Sequence, residues 1–261
     1  MSNQSLLREE KKDYISTLYI NRPERRNALN TEVLLNLTEK LNRTREDKEI
    51  RVVVLRGVGE KAFCSGMDLG GQSLVKGEQS PQVILQETLE SIISCPCPVI
   101  AMIYGYALGA GCDLAATCDF RIAADNARLG INPVKLGSTY YPESIQRFIN
   151  LIGVGYTKEL FLTGRFITAQ RAREMGLVNY IVPAGELSTA TYSLAQEIAD
   201  NAPLAVAGTK SIINKLPSYH KLSTKIEAEM QTIMKSTWQT EDVNEGLKAF
   251  AEKRKPEFKG R

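Results

Sequence analysis

Residues 98–124 read PVIAMIYGYALGAGCDLAATCDFRIAA, and their reading decides the fold. The segment 98–107 is a nearly continuous apolar run rich in β-branched and aromatic residues, which predicts a strand covered on both faces. GAGCDLAATCD then reads as a glycine-led turn into a short buried helix, and 120–124 (FRIAA) returns as a strand. Upstream, 14–20 (YISTLYI) and 51–58 (RVVVLRGV) are two more strand-type runs. Between them, 27–46 (NALNTEVLLNLTEKLNRTRE) carries leucine and valine at helical spacing. A long Gly- and Ser-rich loop spans 59–80, and a helix is predicted over 82–93. Strands alternating with helices indicate an α/β layered fold with right-handed crossovers.

Past Gly137 only 177–182 (LVNYIV) retains a strand signal. Helical patterns take over in PESIQRFINLIG, YTKELFLTG, TAQRAREMG, TATYSLAQEIADNAP, LAVAGTKSIINKL, KIEAEMQTIMKSTWQ and EDVNEGLKAFAEKR, several stopped by Gly or Pro. The expected organisation is an α/β core over 1–195 and a helical subdomain over 196–261.

With 261 residues, 43% hydrophobic and 24% charged, the chain can bury a large core without metal or disulfide support. Mean hydropathy is −0.21. No apolar run approaches the ~20 residues of a membrane span, and MSNQSLLREEKKDY has no apolar signal core, so a cytoplasmic protein is expected. A net charge of +3, from 33 basic and 30 acidic residues, is no footprint for nucleic acid. Five cysteines without a C-x-x-C pair read as reduced, mostly buried thiols. The single histidine, His220, lies in a polar stretch. Chemistry that depends on imidazole or on most catalytic zinc sites is therefore disfavoured, and carboxylates, tyrosines and backbone amides are the expected instruments.

Gly57-Val58-Gly59-Glu60-Lys61-Ala62 satisfies G-x-G-x-x-A after a strand, with Glu78 beyond it, as a dinucleotide site would. That mechanism needs a helix to open at the second glycine. FCSGMDLGGQS follows instead, so NAD binding is not expected. A better candidate is a pair of turns, 63–68 (FCSGMD) and 105–113 (GYALGAGCD), each expected at the carboxyl edge of a strand. The second opens a helix, whose first N–H groups near Ala110 lack intrahelical partners and carry the positive dipole end. An N–H of the first turn aimed at the same point would complete a two-donor oxyanion hole. Either turn alone is explained by the conformational needs of a tight turn; together they favour a site.

These residues also carry a resemblance. Through NRPERRNALN (21–30), AFCSGMDL (62–69), GYALGAGCDLAATCDFRIAADNARLG (105–130), LTGRFITAQRAREMGLVNYIVP (162–183) and EGLKAFAEKRKPEF (245–258), the sequence resembles the crotonase (enoyl-CoA hydratase/isomerase) superfamily. The resemblance implies a spiral of ββα units with a C-terminal helical subdomain, homotrimers or dimers of trimers, and an acyl-CoA thioester whose carbonyl is held by the amides of Met67 and Ala110. Coenzyme A then belongs to the substrate, and neither a separate cofactor nor a metal is implied. Arg26, Ala28, Ser65, Asp68 and Leu69 would line the CoA channel, with Lys255 and Phe258 near its nucleotide end.

Hydratases of the family use two glutamates. At the corresponding positions this chain has Asp113 and Val134. An acid in a first helical turn complements the dipole, yet one between Cys112 and Leu114 is expensive to bury without partners or work, which favours a catalytic Asp113. Aspartate there is similar to dienoyl-CoA isomerases. In the loop STYYPE (138–143), Tyr140 looks equivalent to a tyrosine of methylmalonyl-CoA decarboxylases. Glu143 fits either catalysis or N-terminal dipole complementation. The function expected is enoyl-CoA or dienoyl-CoA hydration or isomerisation through an enolate. Decarboxylation or hydrolysis of an acyl-CoA using Tyr140, or non-catalytic acyl-CoA binding, are the alternatives.

Overall fold

The computed structural model describes residues 5–69, 80–215, 224–225, 228, 231–232, 235 and 238–257. The chain divides into two compact units, residues 1–129 with 167–216, and residues 130–166 with 217–261. This differs from the division expected at 195/196. A helix over Leu187–Ala199 runs through that point, and residues 130–166 join the C-terminal residues in the second unit.

The first unit is built by repetition. β1 (Leu7–Lys12) and β2 (Ile15–Ile20) form an antiparallel hairpin, and α1 (Thr31–Arg43) leads to β3 (Val52–Gly57). The chain then adds β4 (Ala62–Cys64), α2 (Pro81–Ser94), β5 (Val99–Ile103), β6 (Tyr106–Leu108), α3 (Ala110–Thr117), β7 (Phe120–Ala124) and β8 (Arg128–Gly130). β3, β5 and β7 enter a six-stranded sheet of order β1-β2-β3-β5-β7-β10, where β10 is Tyr180–Val182. β4, β6 and β8 enter a four-stranded sheet closed by β9 (Ile167–Thr168). Each pass thus contributes one strand to each sheet, and α2 and α3 close the first two passes.

The expected single strand over 98–107 is in fact two strands in different sheets. The change of direction falls at Gly105, whose φ of +57° suits glycine. A Cβ there would meet the Lys61 carbonyl oxygen at 2.1 Å. β1 carried no signal because its residues, LREEKK, are mostly charged; it is the exposed edge, where charge discourages further pairing. Its side chains are used locally, since Lys11 binds Asp47 at 2.6 Å and Glu9 accepts from Lys40 at 2.6 Å and Ser16 at 2.8 Å.

Alternate residues of the large sheet (Ile15, Val52, Val54, Ile100, Met102, Ile122) pack on Leu187, Ala195 and Ala199 of α6 (Leu187–Ala199). The intervening Val53, Leu55, Val99, Ala101 and Ile103 are also fully buried, as a sheet covered on both faces requires. α7 (Pro203–Lys215) is anchored by one buried cation. Lys210 Nζ donates to Asp119 at 2.6 Å and to the carbonyls of Cys97 at 3.1 Å and Ile92 at 3.2 Å.

In the second unit, α4 (Pro142–Thr163) is interrupted at Gly153, where φ is 75° and ψ is 165°. The two helical patterns expected there are thus two segments across a kink. A 3-10 turn over Pro133–Leu136 packs against α8 (Glu241–Ala251) so closely that a Cβ on Gly246 would lie 2.3 Å from the Leu136 oxygen. All five cysteines are free and buried. No described helix is long and apolar enough to cross a membrane.

The Lys210 anchor generates a stability prediction. Lys210→Met leaves the Asp119 carboxylate without its cation, and breaking a buried pair from one side costs about 3 kcal/mol. Urea denaturation should show that loss, and an unchanged midpoint would show the anchor to be dispensable.

Candidate active site

β4 and β6 are parallel neighbours, so the turns that leave them emerge at the same edge of the small sheet. The first turn is held from the side by residues 25–29. Leu29 N–H donates to Gly66 O at 2.8 Å, and Asp68 N–H donates to Leu29 O at 2.8 Å, a parallel bridge between Leu29 and Met67. In such a ladder the residue between the two bonded groups turns its own N–H to the opposite side. The amide of Met67 therefore faces away from residues 28–30.

The turn that carries it lies against the second turn. Gly66 has φ +105°, which side chains rarely adopt, and a Cβ on it would lie 2.9 Å from Leu108 O and 3.7 Å from Ala110 N. Ala110 is the first residue of α3, so its N–H has no partner within the helix. Gly111 follows, and a Cβ there would sit 2.3 Å from the Cys64 carbonyl oxygen. The structure thus brings the Met67 and Ala110 turns into backbone contact, and the glycines are what permit the approach.

Asp113 lies one turn along α3 from Ala110 and is fully buried, in a helix whose every residue is buried. Its N–H donates to Gly109 O at 3.1 Å, and its carbonyl accepts from Thr117 Oγ1 at 2.8 Å. Three residues of helical rise set its carboxylate on the same face as Ala110.

The residues expected to line a CoA channel occupy the supporting loop. Ser65 donates from its N–H to Arg26 O at 3.1 Å and from Oγ to Arg25 O at 3.3 Å. Arg26 is exposed, Ala28 is buried and Leu69 is exposed. Asp68 is an element of the scaffold, because its carboxylate accepts from Arg22 Nη2 at 2.7 Å. The same guanidinium donates to Ala28 O at 2.8 Å, so Arg22 joins both sides of the bridge that orients Met67. Arg22 and Asn27 had no readable role in the sequence. Buried Asn27, in the left-handed region at φ 56°, accepts from Arg22 N at 3.1 Å and donates to the carbonyls of Val58 at 3.1 Å and Ala62 at 2.7 Å. A short polar side chain tolerating positive φ is the available signal.

The glycine fingerprint at 57–62 opens no helix: β3 ends at Gly57 and β4 begins at Ala62. Gly57 instead makes room, since a Cβ there would meet Asn27 Nδ2 at 2.2 Å. Glu78 and His220 lie outside the described residues. A cavity of about 400 Å³ opens beside the N-terminal ends of β4, β6 and β8, and Arg26, Lys61 and Arg128 give it a cationic lining with Glu60 and Tyr106.

The other residues expected from the sequence to take part lie in the second unit. Val134 is part of the 3-10 turn. Tyr140 stacks edge-on with Phe161 at 5.7 Å and Tyr141 at 6.1 Å. Burial, with the negative charge of Glu143 beside it, raises the Tyr141 phenol above its ordinary value. Glu143 is exposed in the first turn of α4, where it accepts from Gln231 Nε2 at 3.4 Å. Lys255 is exposed and follows Arg254, which pairs with Glu245 at 2.9 Å. Phe258 lies outside the described residues.

An α/β spiral that feeds two sheets, with two amide-bearing turns at one sheet edge and an acid buried behind them, defines a class of enzyme that polarises a carbonyl. The family model for enoyl-CoA hydratase/isomerase matches residues 10–261, and the chain belongs to that family, within the crotonase superfamily. It is 39% identical to YngF of Bacillus subtilis (strain 168) over 98% of both chains. It is 35% identical to the crotonyl-CoA hydratase of Syntrophomonas wolfei, covering 95% of this chain and 96% of that one. The solved structure of a methylmalonyl-CoA decarboxylase superposes with a TM-score of 0.91 at 30% identity over 100% of both chains.

Arg22 provides the test of the scaffold. Arg22→Met removes both the Ala28 and Asp68 contacts, and a small displacement of an orienting group costs about a hundredfold in rate. We expect kcat/KM on the best acyl-CoA to fall by that order with the protein still folded by circular dichroism. Retention of wild-type turnover would show that the bridge alone orients Met67.

Proposed function

We propose that the protein hydrates or isomerises an enoyl-CoA or dienoyl-CoA through an enolate whose oxygen is held by the amides of Met67 and Ala110, with Asp113 as the principal acid or base. The observation that carries this reading is Asp113 itself, a carboxylate buried one turn beyond the amide of Ala110. Three residues of helical rise put that carboxylate on the same face of α3 as the amide, where it would stand beside the carbons next to a carbonyl held there. An enolate needs fixed dipoles and needs no imidazole.

A second reading is decarboxylation of an acyl-CoA. It is favoured by the fold match to methylmalonyl-CoA decarboxylase together with Tyr140 and the absence of a glutamate at position 134. Loss of carbon dioxide also leaves an enolate, so the same pair of amides serves, and Tyr140 would orient the departing carboxylate.

Asp113→Asn separates catalysis from support. Turnover on enoyl- or dienoyl-CoA should fall by about two orders of magnitude or more, the usual cost of a lost general acid or base. Acyl-CoA affinity by calorimetry should stay within a few-fold, because the two amides are untouched. Normal turnover would make Asp113 structural. Tyr140→Phe should damage malonyl-type decarboxylation severely and hydration or isomerisation little, and a panel of CoA thioesters followed by mass spectrometry reads both.

The protein is further proposed to assemble as a homotrimer or a dimer of trimers. In the first unit, α7 leaves Leu204, Ile212 and Ile213 exposed, with Leu204 at 89%, an apolar face that a second copy would cover. Light scattering should give three or six chains, and a monomer would refute the assembly.

A further inference from the structure

β4 and β6 fall out of step by one residue. Ala62 stands opposite Tyr106 and Cys64 opposite Ala107, so two steps of β4 face one step of β6, and Phe63 is the extra residue of a β-bulge. Bulges are rare in parallel pairs and re-aim the chain that follows them. Here that chain is the turn carrying Met67. The bulged backbone is enclosed by glycines: a Cβ on Gly57 would collide with the Ala62 and Phe63 carbonyl oxygens, and one on Gly111 with that of Cys64.

The side chain that grips the bulge belongs to Asn27, which is 1% exposed. Its Nδ2 donates at 2.7 Å to the carbonyl of Ala62, the first residue of the bulge, and at 3.1 Å to the carbonyl of Val58, just past β3. Its Oδ1 accepts from Arg22 N–H at 3.1 Å. Reaching this position takes an unusual backbone. Arg26 and Asn27 are consecutive left-handed residues, at φ 51° and 56°, and neither is glycine. Such conformations persist where the surroundings over-determine them, and they cluster at functional sites. From there residues 26–29 run beside the turn, since Ser65 N–H donates to Arg26 O at 3.1 Å ahead of the two bonds that join Leu29 to residues 66 and 68. Asn27 therefore holds both lines of chain that meet at Met67, the bulged strand through its carboxamide and the supporting loop through its backbone.

We propose that Asn27 is a positioning residue that sets the Met67 amide by fixing the bulge in β4, a role that rests on the reading of Met67 and Ala110 as the pair polarising a thioester. Loss of the bulge slides Cys64 and the turn after it by one residue, about 3.3 Å of strand rise. A misplacement of about 1 Å is enough to cost a hundredfold in rate. Being buried, Asn27 acts through the backbone and not on substrate, so its loss is read at the thioester carbonyl rather than in affinity for CoA.

Infrared difference spectra of the saturated counterpart of the best acyl-CoA, labelled with carbon-13 at its carbonyl, read that polarisation directly. In the parent protein the carbonyl stretch should move to lower frequency on binding. Asn27→Asp keeps the acceptor for Arg22 N–H and removes both donors, whereas Asn27→Gly keeps the left-handed turn and removes the carboxamide. In either variant, once circular dichroism shows it folded, the stretch should return towards that of the free thioester. Its kcat should fall about a hundredfold, with calorimetric affinity for CoA within a few-fold of the parent. A purely structural Asn27 would lower the melting temperature and leave the carbonyl shift and kcat of the folded protein at parent values, and that result would overturn the proposal. So would failure of both variants to fold, which would make Asn27 a residue of folding. A parent protein that binds the labelled thioester without shifting its carbonyl would instead overturn the two-amide site, and this role of Asn27 with it.

Discussion

The backbone of Gly111 lies against the Cys64 carbonyl with no room for a Cβ, and the architecture of the site follows from that contact. It brings the N-terminus of α3 against the turn leaving β4, although each belongs to a different pass of the chain. For the two turns to meet, their strands must be neighbours in one sheet and must run the same way, as β4 and β6 do. The chain must also leave the large sheet between β5 and β6, which is where Gly105 redirects it. A residue with a side chain at any of these points would push the turns apart before any catalytic group was touched.

In the mechanism proposed above the catalytic groups are main-chain amides, and their advantage explains why so much of this unit is scaffold. Their orientation is set by the fold, and they cost no side-chain reorganisation as negative charge develops. The burden moves to the residues that fix the peptide planes. Leu29 aligns Met67 through two hydrogen bonds, Arg22 spans the two sides of that bridge, and Asn27 ties the whole loop to the Val58 and Ala62 carbonyls. These contacts are local and polar, and each removes a buried group that would otherwise lack a partner.

The parts legible in the sequence were those with a long hydrophobic signal. The runs at 51–58 and 120–124 became β3 and β7, and the leucine spacing of 27–46 became α1 with Asn30 as its cap, accepting from Val33 N at 2.9 Å. The two glycine turns were legible as a pair because each follows an apolar run. The small sheet was hidden, since β4, β6, β8 and β9 are three residues or fewer, too short for a period of two to show. β6 merged with β5 into one apparent strand, because apolarity says nothing about which sheet a residue joins. β1 was hidden by its charges, and its pairing with β2 is supported by the Glu9–Lys40 and Lys11–Asp47 contacts. Arg22 and Asn27 were invisible for another reason: their role is defined by partners far along the chain.

In the proposed mechanism the acid sits on the helix that also supplies an amide, and this constrains the chemistry. Ala110 and Asp113 are fixed relative to each other by α3, so the distance from the carbonyl oxygen to the proton carrier cannot be adjusted by loop movement. Hydration, isomerisation and decarboxylation all pass through an enolate at that oxygen and differ only in which bond at the neighbouring carbons breaks or forms. A rigid unit holding the oxygen and one acid can therefore serve all three. What distinguishes them must come from groups outside α3. In the mechanism proposed above, with a valine at position 134, the acid on α3 is the principal proton carrier.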